Sequence, residues 1–192
     1  MPGLILDRVL GALEKAGIPC MLTGSFASSY HGAPRSTQDI DLVIAPTAEQ
    51  IRTLVGLLPR DEFYVDEGAA LEALRHEGQF NVIDLRTGWK IDLIVRKSRP
   101  FSHEEFGRRR KVHLAGTEVP VATPEDVIIA KMEWARMGES ARQLEDAAKM
   151  LRVRSRELNR DYLEHWVREL RLEAQWAAVQ NAAKSGADSP QP

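Results

Sequence analysis

Three stretches of the sequence concentrate residue types that can hold a divalent cation and a phosphate: Leu22-Thr23-Gly24-Ser25, Arg35-Ser36-Thr37-Gln38-Asp39-Ile40-Asp41-Leu42-Val43, and Lys90-Ile91-Asp92-Leu93-Ile94-Val95. Residues two apart in an extended strand share a face. Asp39 and Asp41 therefore present two carboxylates ~7 Å apart along the chain, while Ile40 and Leu42 turn the other way. Two like charges so close need a counter-charge. Asp92 has the same alternation, with Ile91 and Leu93 opposed to it, and can join the pair across a sheet. Three converging carboxylates are hard oxygen donors that suit Mg²⁺, with Mn²⁺ as an alternative, and leave coordination positions open for water and substrate phosphates. Gly24-Ser25 stands between a strand and a helix. There a glycine lets the backbone come close to a ligand, and the first helical N–H groups, with the Ser25 hydroxyl, can cradle an anion.

Plainer readings stand beside several of these residues. An Asp-x-Asp pair alone often lines a solvated sheet edge, and a Gly-Ser pair alone says less still. Arg35 can clamp a phosphate, pair with Asp39 or anchor the loop before the strand. Lys131 reads equally as a side chain snorkelling beside Trp134. Asp84 is most simply a solvated hairpin residue. Asp146, amid Arg142, Glu145 and Lys149, is compatible with helix-surface pairing. His31, His76, His103, His113 and His165 lack metal-ligand spacing. Trp89, Trp134, Trp166 and Trp176 read as packing residues rather than base-stacking platforms, and Arg108 to Lys111 and the Arg152, Arg154, Arg156, Arg160 series are the candidate local basic patches, although a charge run is more often a solvated face.

The elements that must position the acids follow from periodicity and punctuation. Leu6, Val9, Leu10, Leu13 and Ala16 make a helical stripe that Gly17 closes. A strand, Ile18 to Thr23, a short helix, Phe26 to Tyr30, and a strand, Asp39 to Ala45, come next. Thr47 with Gln50 forms a capping-box pattern for a helix through Leu58. Glu62 to Val65 reads as an edge strand. Gln79 to Leu85 and Trp89 to Val95 flank Arg86-Thr87-Gly88 as a hairpin. Ser102 with Glu105 suggests another capped helix, and Lys111 to Leu114 and Glu118 to Ala122 flank a second turn, Ala115-Gly116-Thr117. From Thr123-Pro124-Glu125-Asp126 onward the periodicity is helical. The pattern predicts an α+β protein: a mixed β-sheet core with helices over 1–122, a C-terminal helical lobe of three or four helices over 123–184, and a flexible tail at 185–192.

Composition narrows the function classes. The 192 residues are 43% hydrophobic and 28% charged, ordinary for a chain that folds. A formal net charge of −2 and a pI near 6.2 argue against a protein that coats nucleic acid through a basic surface. The single cysteine, Cys20, excludes an internal disulfide and a multi-cysteine metal site and is read as core filler. With no apolar run of ~20 residues and no signal-type leader, a cytoplasmic location away from any membrane is expected.

The Gly24-Ser25 pair at a strand–helix junction, the Asp39-x-Asp41 strand and the later acid Asp92 resemble the polymerase-β-like nucleotidyltransferase superfamily. The long stretch ending in Arg35-x-Thr37-x-Asp39, the Pro124-Glu125-Asp126 helix start before Lys131, and the Arg142 to Asp146 helix look most like its AbiEii-type toxin and abortive-infection branch. The resemblance covers most of residues 18 to 152. It implies a nucleotidyltransferase core and two-metal transfer of a nucleoside monophosphate from an NTP to an acceptor hydroxyl, with release of pyrophosphate. Asp39, Asp41 and Asp92 would hold two Mg²⁺ ions, and Asp92 would also take the hydroxyl proton. Gly24, Ser25, Arg35, Thr37 and Lys131 would bind the nucleotide. The acceptor would be an RNA end such as tRNA, a protein side chain or a small molecule. The alternative is a catalytically silent nucleotide- or partner-binding module of the same fold, such as one component of a toxin–antitoxin pair.

Overall fold

The computed structural model describes residues 2–114, 116–138 and 140–185. Of the expected tail only Ser185 falls among them, and Ala115 of the second turn lies outside. The chain opens with helix α1 (Pro2–Lys15), whose Leu6, Val9 and Leu13 stripe is buried. Its end is closed at Gly17, which sits at φ 68°, and Ile18 N–H donates back to the Leu13 carbonyl at 2.8 Å. Strand β1 (Cys20–Leu22), helix α2 (Gly24–Tyr30), strand β2 (Asp39–Ile44) and helix α3 (Ala48–Leu57) follow in the expected α-β-α-β-α order. The capping box is present: Gln50 N–H donates to the Thr47 hydroxyl, and Thr47 N–H donates to the Gln50 side-chain oxygen.

The chain continues through β3 (Phe63–Tyr64), helix α4 (Glu67–Arg75), β4 (Gln79–Asp84), β5 (Lys90–Val95), helix α5 (Pro100–Arg108), β6 (Arg110–Leu114) and β7 (Thr117–Val121). The seven strands form one mixed sheet in the order β3-β4-β5-β2-β1-β7-β6, with β2 parallel to β5 and β1 parallel to β7. The central strands bury one face completely: Ile40, Leu42, Ile91 and Leu93 have no exposure.

Four further helices, α6 (Pro124–Gly138), α7 (Ala141–Val153), α8 (Arg160–Glu169) and α9 (Glu173–Ser185), complete the α+β fold. Contacts group Met1–Phe26 and Ser36–Ala122 as one compact unit and Ala27–Arg35 with the chain from Thr123 onward as a second. The second unit ties its helix starts together with polar bonds, one buried and one partly buried. The Tyr162 hydroxyl donates to Asp126 at 2.6 Å, and Asn159, whose side chain caps α8, donates its N–H to Glu125 at 2.8 Å. Among the described residues no helix is long and apolar enough to cross a membrane.

Several local expectations are corrected. Helix α4 has no counterpart in the sequence reading, because its inward residues are small: Ala70 and Ala73 are the buried ones, and the start is marked only by Asp66, whose carboxylate accepts from the Ala69 N–H. Helix α5 starts at Pro100, two residues before the expected cap. Proline's fixed φ favours the first helical position, so Ser102 lies inside the helix and accepts from Arg99 instead. Asp84 is buried and accepts from the N–H groups of Arg86 and Thr87, so it builds the hairpin turn rather than facing solvent. Trp134 is half exposed rather than packed. Cys20 is only partly exposed at the start of β1; burial pushes its thiol pKa up to about 11, against the opposing charge of Arg109.

Candidate functional site

The parallel pairing of β2 with β5 sets Asp41 beside Asp92 and Asp39 beside Lys90 in register. Cross-strand partners point to the same side of a sheet, as do residues two apart, so these four side chains form a two-by-two grid on the face opposite the Ile40, Leu42, Ile91 and Leu93 core. The next strand adds Asn81, whose register partner is Asp92. The strand alternation expected from sequence thus brings the three acids onto one face of the first unit.

The grid is graded in exposure. The Asp39 side chain is 52% exposed and the Asp92 side chain 10%. Lys90 spans them: its Nζ lies 3.5 Å from Asp39 Oδ1 and 3.2 Å from Asp92 Oδ2. Burial works to lower the Lys90 pKa, and the hydrogen bonds and charges of Asp92 and Asp39 outweigh it and leave it raised. The second Asp92 oxygen, Oδ1, is buried without a hydrogen-bond partner. A buried carboxylate oxygen normally carries one, so this atom marks a position suited to a ligand.

Gly24 closes the grid from the β1–α2 junction. It sits at φ 61°, and a Cβ built there would fall 1.9 Å from Asp41 Oδ2, so only glycine fits against that carboxylate. Helix α2 already includes Gly24, which puts Ser25, buried, in its first turn rather than before it. Thr37 folds onto the start of β2, its hydroxyl accepting from the Asp39 N–H at 3.2 Å. Edge-on contact between Phe26 and Trp89, with ring centroids 6.0 Å apart, gives Trp89 the packing role expected of it.

Arg35 and Lys131 belong to the second unit, where the structure brings both onto Asp146. Arg35 Nε lies 3.0 Å and Lys131 Nζ 2.9 Å from the same carboxylate oxygen, and Lys131 also donates to Gln143 at 3.0 Å. Lys131 is 3% exposed, so it does not snorkel beside Trp134, and Asp146, at 2%, is not a surface pairing residue. Arg35 pairs with Asp146. Both cations thus share one buried carboxylate.

The donor set fits a hard divalent cation in kind, with carboxylates adjacent in register and one buried oxygen left over. Among the described residues, however, no group of three or more His, Cys, Asp and Glu side chains is disposed to hold a metal as the chain stands. Lys90 meanwhile bridges Asp39 and Asp92. Sequence reasoning passes over Lys90 and Asn81. A signal for Lys90 exists, because the same two-residue spacing that pairs Asp39 with Asp41 pairs it with Asp92.

Comparison with known proteins bears on the fold and the family. The structure resembles the antibiotic-resistance factor ANT(2'')-Ia at 14% identity and a TM-score of 0.55, over 93% of this chain and 94% of that one. It resembles an antigenic nucleotidyltransferase-like protein from Paracoccidioides brasiliensis at 15% identity and a TM-score of 0.54, over 91% of each chain. A second ANT(2'')-Ia structure, in complex with adenylyl-2''-tobramycin, matches at 14% identity and a TM-score of 0.52 over 93% and 96%. At these identities the likeness speaks for the fold. No match was found among curated proteins. Residues 8–188 match the family described as nucleotidyl transferase AbiEii toxin, type IV TA system, and the chain belongs to that AbiEii nucleotidyltransferase family.

Proposed function

We propose that this chain transfers a nucleoside monophosphate from an NTP to an acceptor hydroxyl in a Mg²⁺-dependent reaction that releases pyrophosphate. The observation that carries the reading is the register of β2 on β5, which sets Asp41 beside Asp92 with Asp39 two residues away on the same face. Asp39 and Asp41 would hold the metal ions, and Asp92 would share the one nearest the acceptor. The ions, when bound, supply charge neutralisation of the triphosphate and lower the pKa of the acceptor hydroxyl. Asp92 accepts the hydroxyl proton as the oxygen bonds to the α-phosphorus and the bond from that phosphorus to the bridging oxygen breaks. Gly24 leaves the Asp41 carboxylate room that a Cβ would fill, and the first turn of α2 with Ser25 would receive the phosphates.

The acceptor class is open among RNA, a protein side chain and a small molecule. The family's type IV toxin description supports an antitoxin as the partner. One observation favours a silent module, namely that no three acidic side chains among the described residues converge while Lys90 holds two of them. Incubating the purified protein with each labelled NTP, Mg²⁺ and either total RNA or cell extract separates the readings. Label transferred to a macromolecule or metabolite supports catalysis and names the acceptor class. Nucleotide binding without transfer supports the silent module. Neither binding nor transfer sinks both.

A further inference from the structure

Resting on that reading, we infer that Lys90 is a built-in competitor for the metal: its ammonium holds Asp39 and Asp92 until a divalent cation, arriving with the nucleotide, displaces it. The geometry carries this. Lys90 is the register partner of Asp39 and two residues from Asp92 on the same face, and its Nζ reaches one oxygen of each, at 3.5 and 3.2 Å. A single flexible cation thus bonds two of the three expected metal ligands, and no set of three acids among the described residues is disposed for a metal while it does so.

A cation on a long flexible stem suits a competitor that must leave. An ammonium is a compact charge on a four-carbon stem and can withdraw without moving the backbone. The Lys90 side chain is 35% exposed, so it has a way out to solvent. Asp92 Oδ1 is left without a partner by this arrangement, so the lysine satisfies only half of the buried carboxylate, and the other half favours exchange. A free divalent cation must break both lysine contacts without offering the ammonium a new anion. A cation bound to a triphosphate brings such an anion with it. Lys90 therefore couples metal binding to nucleotide binding and keeps the acids from loading with free metal.

Mn²⁺ binding, read from the loss of the free-ion electron paramagnetic resonance signal, tests this with and without a non-hydrolysable NTP analogue, and does not depend on turnover. Lys90→Gln is expected to bind Mn²⁺ roughly fivefold more tightly than the native chain without nucleotide, the size of losing a partly exposed ionic competitor. The gain in Mn²⁺ affinity on adding nucleotide should be smaller in Lys90→Gln than in the native chain. Lys90→Arg keeps the charge and is expected to behave like the native protein. Lys90→Met, which also removes the charge, replaces Lys90→Gln should the latter fold poorly. If the native chain binds Mn²⁺ and Lys90→Gln binds no more tightly, or Lys90→Arg gains as much as a glutamine would, the competitor role is overturned while the metal reading stands. If native, Lys90→Gln and Lys90→Arg chains all fail to bind Mn²⁺ even with nucleotide, the metal reading itself falls and takes the inference with it.

Discussion

Asp41 is the side chain on which the proposed chemistry most depends, because it alone has an acid beside it across the strands, Asp92, and another along its own strand, Asp39. Asp41→Asn keeps shape and volume and removes the charge that offsets a divalent cation. Transfer of labelled nucleotide should be lost, while the thermal midpoint holds or rises as repulsion with Asp92 falls. Retained transfer in this variant would remove Asp41 from the metal site. Gly24→Ala acts from the other side. The left-handed backbone costs a Cβ-bearing residue on the order of 1–2 kcal/mol, and the new methyl must also displace the Asp41 carboxylate. Chemical denaturation should show a loss of at least that size, together with a weaker Mg²⁺-dependent stabilisation. A loss of stability with the metal response intact would mean that Asp41 can reposition freely.

Elements whose inward stripes use large branched side chains and whose ends carry paired signals are legible in the sequence. Strand β2 and helix α3 are the clearest cases, the first through Ile40, Leu42 and Ile44, the second through the Thr47 and Gln50 box. Helix α4 is not, since alanines leave little periodic contrast, and the start of α5 is obscured because a plausible Ser102 to Glu105 box competes with a proline start two residues earlier. Both helix ends and helix contacts can be weighed by mutation. Thr47→Ala removes one cap and should cost about 1 kcal/mol in urea denaturation. Asp146→Ala, by contrast, removes the carboxylate that Lys131 and the partly exposed Arg35 share, a loss of about 3–5 kcal/mol for a broken buried pair. An Asp146→Ala cost no larger than that of Thr47→Ala would mean that water reaches the cluster.

For the whole chain, the acids can be found from sequence because each lies in a local pattern, whereas the Arg35, Lys131 and Asp146 cluster cannot, because no local pattern links positions 35 and 146. Binding should nonetheless report on the chain as a unit of stability. Mg²⁺ with the preferred NTP at a hundred times its dissociation constant should raise unfolding free energy by about 2.7 kcal/mol, and Asp41→Asn should lose most of that rise. No response to any NTP with Mg²⁺ would leave the acids without a ligand role. The second unit is discontinuous in sequence, with Ala27–Arg35 separated from the helices they join by most of the first unit. During synthesis at ~5–20 residues per second, Arg35 emerges on the order of ten seconds before Asp146 does. The first unit's seven strands are all made before α6 to α9 begin, while one piece of that later unit waits as an unfinished basic segment. A chain stopped near residue 122 would therefore carry a stranded part of its neighbour, and an excised 123–185 segment would lack Arg35 and be expected to melt earlier than the same helices within the full protein.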